Sequence, residues 1–227
     1  MTARSTAPAG PGAPPLLTEQ AADIEQIWDA FFYIALGVAA LVVALLAWVI
    51  LRYRHRDDVL PRQRHAHIPL EIGYTVVPLL IVVGLFAVTF GSVRAIDELG
   101  DDTDLVIEVT GFQWQWQFEY PESGLTVVGD ETTDPELVLP AGATVRFEMT
   151  SLDVIHSFWI PAFRFKRDVI PGIVTRFEVD VTDATGTFPE AGVCAEFCGL
   201  DHHKMGFGVR VVTADEFETW AAQEAGR

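Results

Sequence analysis

The sequence predicts a membrane-anchored all-β protein: an N-terminal transmembrane hairpin of two helices, then a sandwich or barrel of short strands with one short closing helix. Three observations predict it. Two long stretches without a single charge lie in the first hundred residues. The net negative charge falls entirely after them. From residue 105 the apolar pattern takes a period of two.

The first 18 residues, MTARSTAPAGPGAPPLLT, are rich in Ala, Pro and Gly. They predict a disordered tail over 1–26, and no apolar run before residue 30 suggests a cleaved leader. From Ala30 to Leu51 no residue is charged, and at ~1.5 Å per residue this stretch spans roughly 33 Å, enough for the ~30 Å hydrocarbon core. A second uncharged stretch runs from Ile72 to Val93; its Pro78 and three glycines weaken a soluble helix but are tolerated in a bilayer. Either stretch alone reads equally as a buried core helix. Two of spanning length, joined by a short charged loop, predict a hairpin over 27–95.

The joining loop, residues 52–67, holds five arginines, Arg52, Arg54, Arg56, Arg62 and Arg64, against one in the tail. The positive-inside rule makes that loop cytoplasmic and puts the tail and everything after residue 96 outside. The expected location is the plasma membrane of a prokaryote. From Ala95 onward there are 25 acidic against 8 basic residues, so this part carries the whole net charge of −17, and the first 94 residues balance at seven each. Such a surface excludes nucleic acid, which needs clustered Lys and Arg. It suits a basic protein partner, or serves only to keep the domain soluble.

In the external part, 96–227, "LVIEVTGFQWQWQFEY" reads as one half-buried strand with Phe112, Trp114, Trp116, Phe118 and Tyr120 on one face. Further strands are expected at 136–139, 143–150, 154–160, 173–181 and 206–212, between Pro and Gly breaks. Thr213 and Glu216 fit a capping box ahead of "FETWAAQ". Short strands without alternating helices predict an antiparallel sandwich or barrel.

The chemistry is concentrated in "CAEFCGLDHHKM", Cys194 to Met205, which holds the only two cysteines. Outside the cell a Cys194–Cys198 disulfide is the first reading, though it closes a very small loop and leaves His156, His202 and Met205 unexplained. Zinc is the second, but its structural sites are closed tetrahedra without thioether. Methionine is a soft ligand that selects copper. From Cys198 the pattern C-x3-H-x2-M gives thiolate, imidazole and thioether, the ligands of a cupredoxin-type copper site, and "DVIHSFWIP" supplies a further histidine, His156. The surplus Cys194 lets two thiolates bridge two coppers.

C-x-E-x-C-x3-H-x2-M, preceded by D-V-x-H-S and "QWQW", resembles the CuA domain of cytochrome c oxidase subunit II. "PLEIGYTVVPLLI" is similar to that family's second helix and "FRFKRDVIPG" to its stretch after the first copper histidine, so the likeness covers nearly the whole chain.

The resemblance implies a cupredoxin-like Greek-key sandwich or barrel and a dinuclear CuA centre. Cys194 and Cys198 would bridge the coppers, His156 and Met205 would complete one, and His202 with the Glu196 backbone carbonyl the other. His203 is left as a surface imidazole. The Glu196 carboxylate would share a magnesium or manganese ion with subunit I. Trp114 stands where electrons enter from cytochrome c, although Gln115 follows it where an aromatic residue is common. Glu71 stands where a proton path into subunit I begins, with Tyr74 in place of the usual Trp. Asp153 is a candidate for docking a basic donor.

The implied function is the electron-input subunit of a cytochrome c oxidase: electrons pass from cytochrome c to haem in subunit I, where oxygen becomes water with proton pumping. Its partners are subunit I, the other oxidase subunits, cytochrome c and the lipid bilayer. Both cysteines are assigned to copper, so no haem attachment is expected in this chain. The alternative is a membrane-anchored blue-copper carrier or copper-binding protein, which needs neither Cys194 nor Glu71. A quinol oxidase subunit would lack the copper ligands.

Overall fold

The computed structural model describes residues 14–54, 65–130 and 133–224. It divides into two units, residues 26–95 and a second formed by the chain up to Glu25 together with Ile96 onward. The first unit carries most of α1 (Glu19–Arg52) and α2 (Ile68–Asp97), both long and apolar enough to cross a membrane. Over the two charge-free stretches, Ala30 to Leu51 and Ile72 to Val93, most of their apolar side chains stand exposed, as lipid-facing helices require. Pro78 lies inside α2. Most of the expected cytoplasmic loop, including Arg56, Arg62 and Arg64, lies outside the described residues, as do residues 1–13 of the expected tail.

The last part of that tail is corrected by the structure. α1 begins at Glu19, and Leu17, Thr18 and Ala21 are fully buried against the β unit. The Leu17 N–H donates to the Ala162 carbonyl at 3.2 Å, and the Thr182 N–H donates to the Leu17 carbonyl at 3.0 Å. Thr18 forms a β-bridge with Val181, and its Oγ1 accepts the Ala21 N–H at 3.2 Å, which caps the helix. Gln20 exchanges two hydrogen bonds of 3.0 Å with Asp180, and Arg164 pairs with Glu25 at 3.3 Å. The physical reason is local. One leucine that fills a slot and one capping threonine outweigh the Ala/Pro/Gly composition around them.

The second unit is a cupredoxin-like sandwich of two five-stranded sheets. One has the order β3 (Leu125–Val128), β2 (Gln115–Tyr120), β1 (Leu105–Phe112), β5 (Thr144–Ser151), β8 (Thr175–Asp180). The other runs β4 (Glu136–Pro140), β10 (Gly206–Val212), β9 (Gly186–Cys194), β6 (His156–Ile160), β7 (Phe165–Val169). The sandwich is not purely antiparallel: β1 pairs β5, and β4 pairs β10, in parallel. In both pairs the intervening chain leaves the sheet and returns, so the later strand arrives in the same direction.

The single long strand expected over 105–120 is a hairpin. β1 buries Leu105, Ile107 and Val109, whereas β2 buries Trp116, Phe118 and Tyr120. The buried positions switch from odd to even numbers, which one unbroken strand cannot do without turning its side chains to the other face. The chain reverses at Gln113–Trp114, so Phe112 falls on the face opposite Ile107 and Val109, while Trp114 packs against the core from the turn and not from a strand.

Between the sheets, Phe158 stacks on Phe207 with centroids 4.8 Å apart and rings 8° from parallel, and Trp116 meets Phe158 edge-on at 5.4 Å. Gly192 lies directly under the Phe207 ring, where a Cβ would come within 2.0 Å of it. The buried Tyr120 hydroxyl donates to the Val138 carbonyl at 3.0 Å and accepts the Val138 N–H at 2.9 Å, tying β2 to the edge strand of the other sheet. α3 (Ala214–Glu224) closes the unit, and the expected capping box forms: the Thr213 N–H donates to Glu216 at 3.0 Å, and the Glu216 N–H to Thr213 Oγ1 at 3.4 Å.

Candidate metal centre

β6 and β9 lie side by side with Phe158 opposite Cys194, which brings His156, at the start of β6, next to the cysteine that ends β9. Gly206, at the start of β10, pairs with Val193, and the Cys194 N–H donates to the Met205 carbonyl at 2.9 Å. Both ends of the 195–204 loop are therefore fixed by sheet register. Inside it, the Ala195 N–H donates to the Ser157 carbonyl at 2.9 Å and the His202 N–H to the Gly199 carbonyl at 3.3 Å. Two strands, β9 and β10, and the head of a third, β6, thus aim their ligands at one point.

The sulfurs of Cys194 and Cys198 stand 3.9 Å apart. A disulfide needs about 2.05 Å, and both thiols are free. His156 Nδ1 lies 3.8 Å from Cys194 Sγ, and His202 Nδ1 lies 3.5 Å from Cys198 Sγ. Met205 Sδ is 3.8 Å from Cys198 Sγ, and the Glu196 carbonyl oxygen is 3.2 Å from Cys194 Sγ. His156, Cys194 and Cys198 are buried, and their ligand atoms fall within 4.8 Å of one another. All six residues expected to bind copper are thus gathered at one site. His203 is exposed.

The donor set fits copper. Sulfur-to-metal bonds of about 2.3 Å allow a metal to touch both sulfurs at once from either side of a line this long, and thioether sulfur disfavours zinc. Protonation follows the same geometry. Burial would push the Cys194 thiol up, but hydrogen bonds to His156 and to backbone at Ser157 and Glu196 prevail and hold it well below the ordinary thiol range. The Cys198 thiol is pushed up, by burial first and then by the neighbouring Cys194 charge. One thiolate forms readily; the second needs a cation beside it.

His156 is oriented from behind. Its Nε2 is 2.8 Å from Asp153 Oδ1, which leaves Nδ1 facing the sulfurs. Burial favours neutral imidazole, yet the bonds to Cys194 and Asp153 outweigh it and raise its pKa. Asp153 also accepts the Gln113 N–H at 2.7 Å and the Val154 N–H at 2.6 Å. Burial would raise the Asp153 carboxyl, but its bonds to His156, Gln113 and Val154 lower it. The carboxylate considered for donor docking is thus committed inward. The Asp-x-x-His spacing was the available sign of this role.

Trp114 stands half-buried in the β1–β2 turn, and its Nε1 donates to the Cys198 carbonyl at 3.3 Å. Gln113 reaches the same carbonyl with Nε2 at 2.7 Å, a contact that sequence reasoning missed because its partner lies 85 positions away. The Glu196 side chain is exposed beside the centre. Glu71 lies in the other unit, in the first turn of α2, where its Oε1 accepts the His67 N–H at 2.9 Å.

The chain matches two known families: cytochrome c oxidase subunit II, periplasmic domain, over residues 105–212, and the transmembrane domain of the same subunit over residues 11–92. It is 36% identical to a probable cytochrome c oxidase subunit 2 of Streptomyces avermitilis, covering 91% of this chain and 76% of that one. It is 32% identical to cytochrome c oxidase subunit 2 of Mycobacterium bovis, over 94% of this chain and 75% of the relative. Among solved structures, the periplasmic domain of subunit II of cytochrome oxidase of Bradyrhizobium japonicum superposes with a TM-score of 0.50 at 34% identity, over 56% of this chain and 96% of that one. A two-helix membrane segment, a cupredoxin-like sandwich and a buried His/Cys/Cys cluster at its rim agree with these matches, and the chain belongs to the cytochrome c oxidase subunit II family.

Proposed function

We propose that the chain is the electron-input subunit of a cytochrome c oxidase, holding two coppers between Cys194 and Cys198. His156 and Met205 complete one metal, and His202 with the Glu196 carbonyl the other. The observation that carries this reading is the 3.9 Å gap between two free sulfurs, flanked on both sides by imidazole nitrogen. A dinuclear copper centre supplies one-electron redox chemistry with its charge change spread over two metals. The residues themselves do no acid–base work. The sheets hold them in place in advance, so little has to move when the charge changes.

Trp114, hydrogen-bonded to the Cys198 carbonyl, is the point at which electrons enter from cytochrome c. They leave towards haem in subunit I, where oxygen is reduced with proton pumping. The Glu196 carboxylate, exposed next to its own ligand carbonyl, takes part in a magnesium or manganese site completed by subunit I. Glu71 opens a proton path from the arginine-rich, cytoplasmic side. The β unit and the tail face outside the plasma membrane of a prokaryote.

The test uses the full chain in detergent, loaded with copper. Two coppers per chain are expected, with a hyperfine pattern of one electron shared over two nuclei. A single ion with the pattern of an isolated cupric site would replace this reading with a membrane-anchored blue-copper carrier.

A further inference from the structure

The β1–β2 turn reaches both ligand-bearing segments at once. The Gln113 N–H donates to Asp153 Oδ2 at 2.7 Å, and the other oxygen of that carboxylate holds His156 Nε2 at 2.8 Å. The Gln113 side-chain amide donates to the Cys198 carbonyl at 2.7 Å, beside the weaker bond from Trp114 at 3.3 Å. One residue thus grips the histidine arm through its backbone and the cysteine arm through its side chain.

A second observation is independent of these bonds. Gly199, next to that carbonyl, has φ of +121°, and a Cβ there would lie 3.1 Å from both Gln113 Nε2 and Trp114 Cζ2. The glycine leaves the space through which both donors approach. Gln113 is an exposed residue, so its competing role is a surface contact for the electron donor. The two roles differ in kind. A surface contact acts only when the donor is bound, whereas a grip on the ligand loops acts in the isolated chain.

We propose that Gln113 is a positioning residue of the copper centre, fixing the Asp153–His156 arm, the Cys198 arm and Trp114 in one frame. The proposal rests on the copper reading above. The amide that bonds the Cys198 carbonyl draws electron density from the ligand strand, which favours the more electron-rich, reduced state.

The test compares the full chain with Gln113→Leu and Gln113→Glu, the latter setting a carboxylate oxygen against the carbonyl. With copper and no donor present, both variants are expected to bind the metal about 10–100-fold more weakly, to show an altered EPR hyperfine pattern and to have a lower midpoint potential, with Glu at least as damaging as Leu. In the copper-free chain, alkylation of the buried Cys198 should become several-fold faster, because its loop is released. Unchanged spectra, potential and alkylation would overturn the proposal, and a slower bimolecular electron transfer from cytochrome c alone would make Gln113 a docking contact. If Gln113→Leu does not fold, Gln113→Asn, one methylene short of the carbonyl, replaces it with the same expected and overturning results. The alkylation readout stands even if the wild-type chain binds a single copper, so failure of the copper reading and failure of this proposal remain separable.

Discussion

Glu178 gathers three partners from two segments: Arg146 at 2.8 and 3.0 Å, the Thr103 hydroxyl at 2.9 Å and the Gly100 N–H at 3.1 Å. Burial would raise its carboxyl, but these bonds prevail and lower it. A carboxylate whose folded pKa is depressed adds stability above its unfolded value, near 4.3, and loses it as pH falls through the folded value. Thermal unfolding followed from pH 6 down to pH 3 should therefore show a loss below about pH 4 that is shallower in Glu178→Gln, which is itself about 1 kcal/mol less stable at neutral pH. Parallel curves for the two proteins would mean that Glu178 has no such role. Residues of this kind were illegible in the sequence, as was Gln113, because their partners are set by tertiary approach. The proposed copper ligands were legible for the opposite reason: five of the six sit within twelve residues, Cys194 to Met205, where the spacing of Cys, His and Met points to a soft metal and the family resemblance adds Glu196.

Elements follow the same division. The two apolar helices, the capping box of α3 and strands β4, β5, β6, β8 and β10 announce themselves through charge-free length, capping chemistry or alternation. β3 has four residues, β7 reads FKRDV with a largely exposed face, and β9 contains a proline and two glycines, so their pairing comes from neighbours and not from pattern. The segment before α1 is the most instructive miss, since one buried leucine decides it. Leu17→Ala in the full chain should cost about 2–5 kcal/mol and lower the melting temperature of the β unit by several degrees, followed through the near-ultraviolet signal of the buried aromatic cluster. A melting curve identical to the wild type would mean that the strap rests on the sandwich without contributing to it. The same burial makes the full chain the proper sample for copper loading, because a fragment starting at residue 96 lacks the side chain that fills this slot.

Over the whole molecule, charge is sorted by position: none in either spanning stretch, five arginines on the joining loop, and the entire −17 beyond residue 94. If the β unit faces a donor compartment, that field draws in a basic cytochrome c before any contact forms. Such steering acts over about a Debye length, which shrinks from ~30 Å at 0.01 M salt to ~10 Å at 0.1 M. The bimolecular rate of electron transfer from a basic cytochrome c, measured by stopped flow on the copper-loaded full chain, should thus fall roughly 10-fold or more over that range. A small uncharged reductant should react at nearly the same rate throughout, since no long-range attraction brings it in. Because Asp153 is turned inward on His156, Asp153→Asn should change the spectrum of the centre more than it changes this salt slope. If the cytochrome c rate were flat with salt, the acidic coat would serve solubility alone, and recognition of the donor would have to come from the exposed apolar side chains beside the centre, such as Phe197 and Leu200.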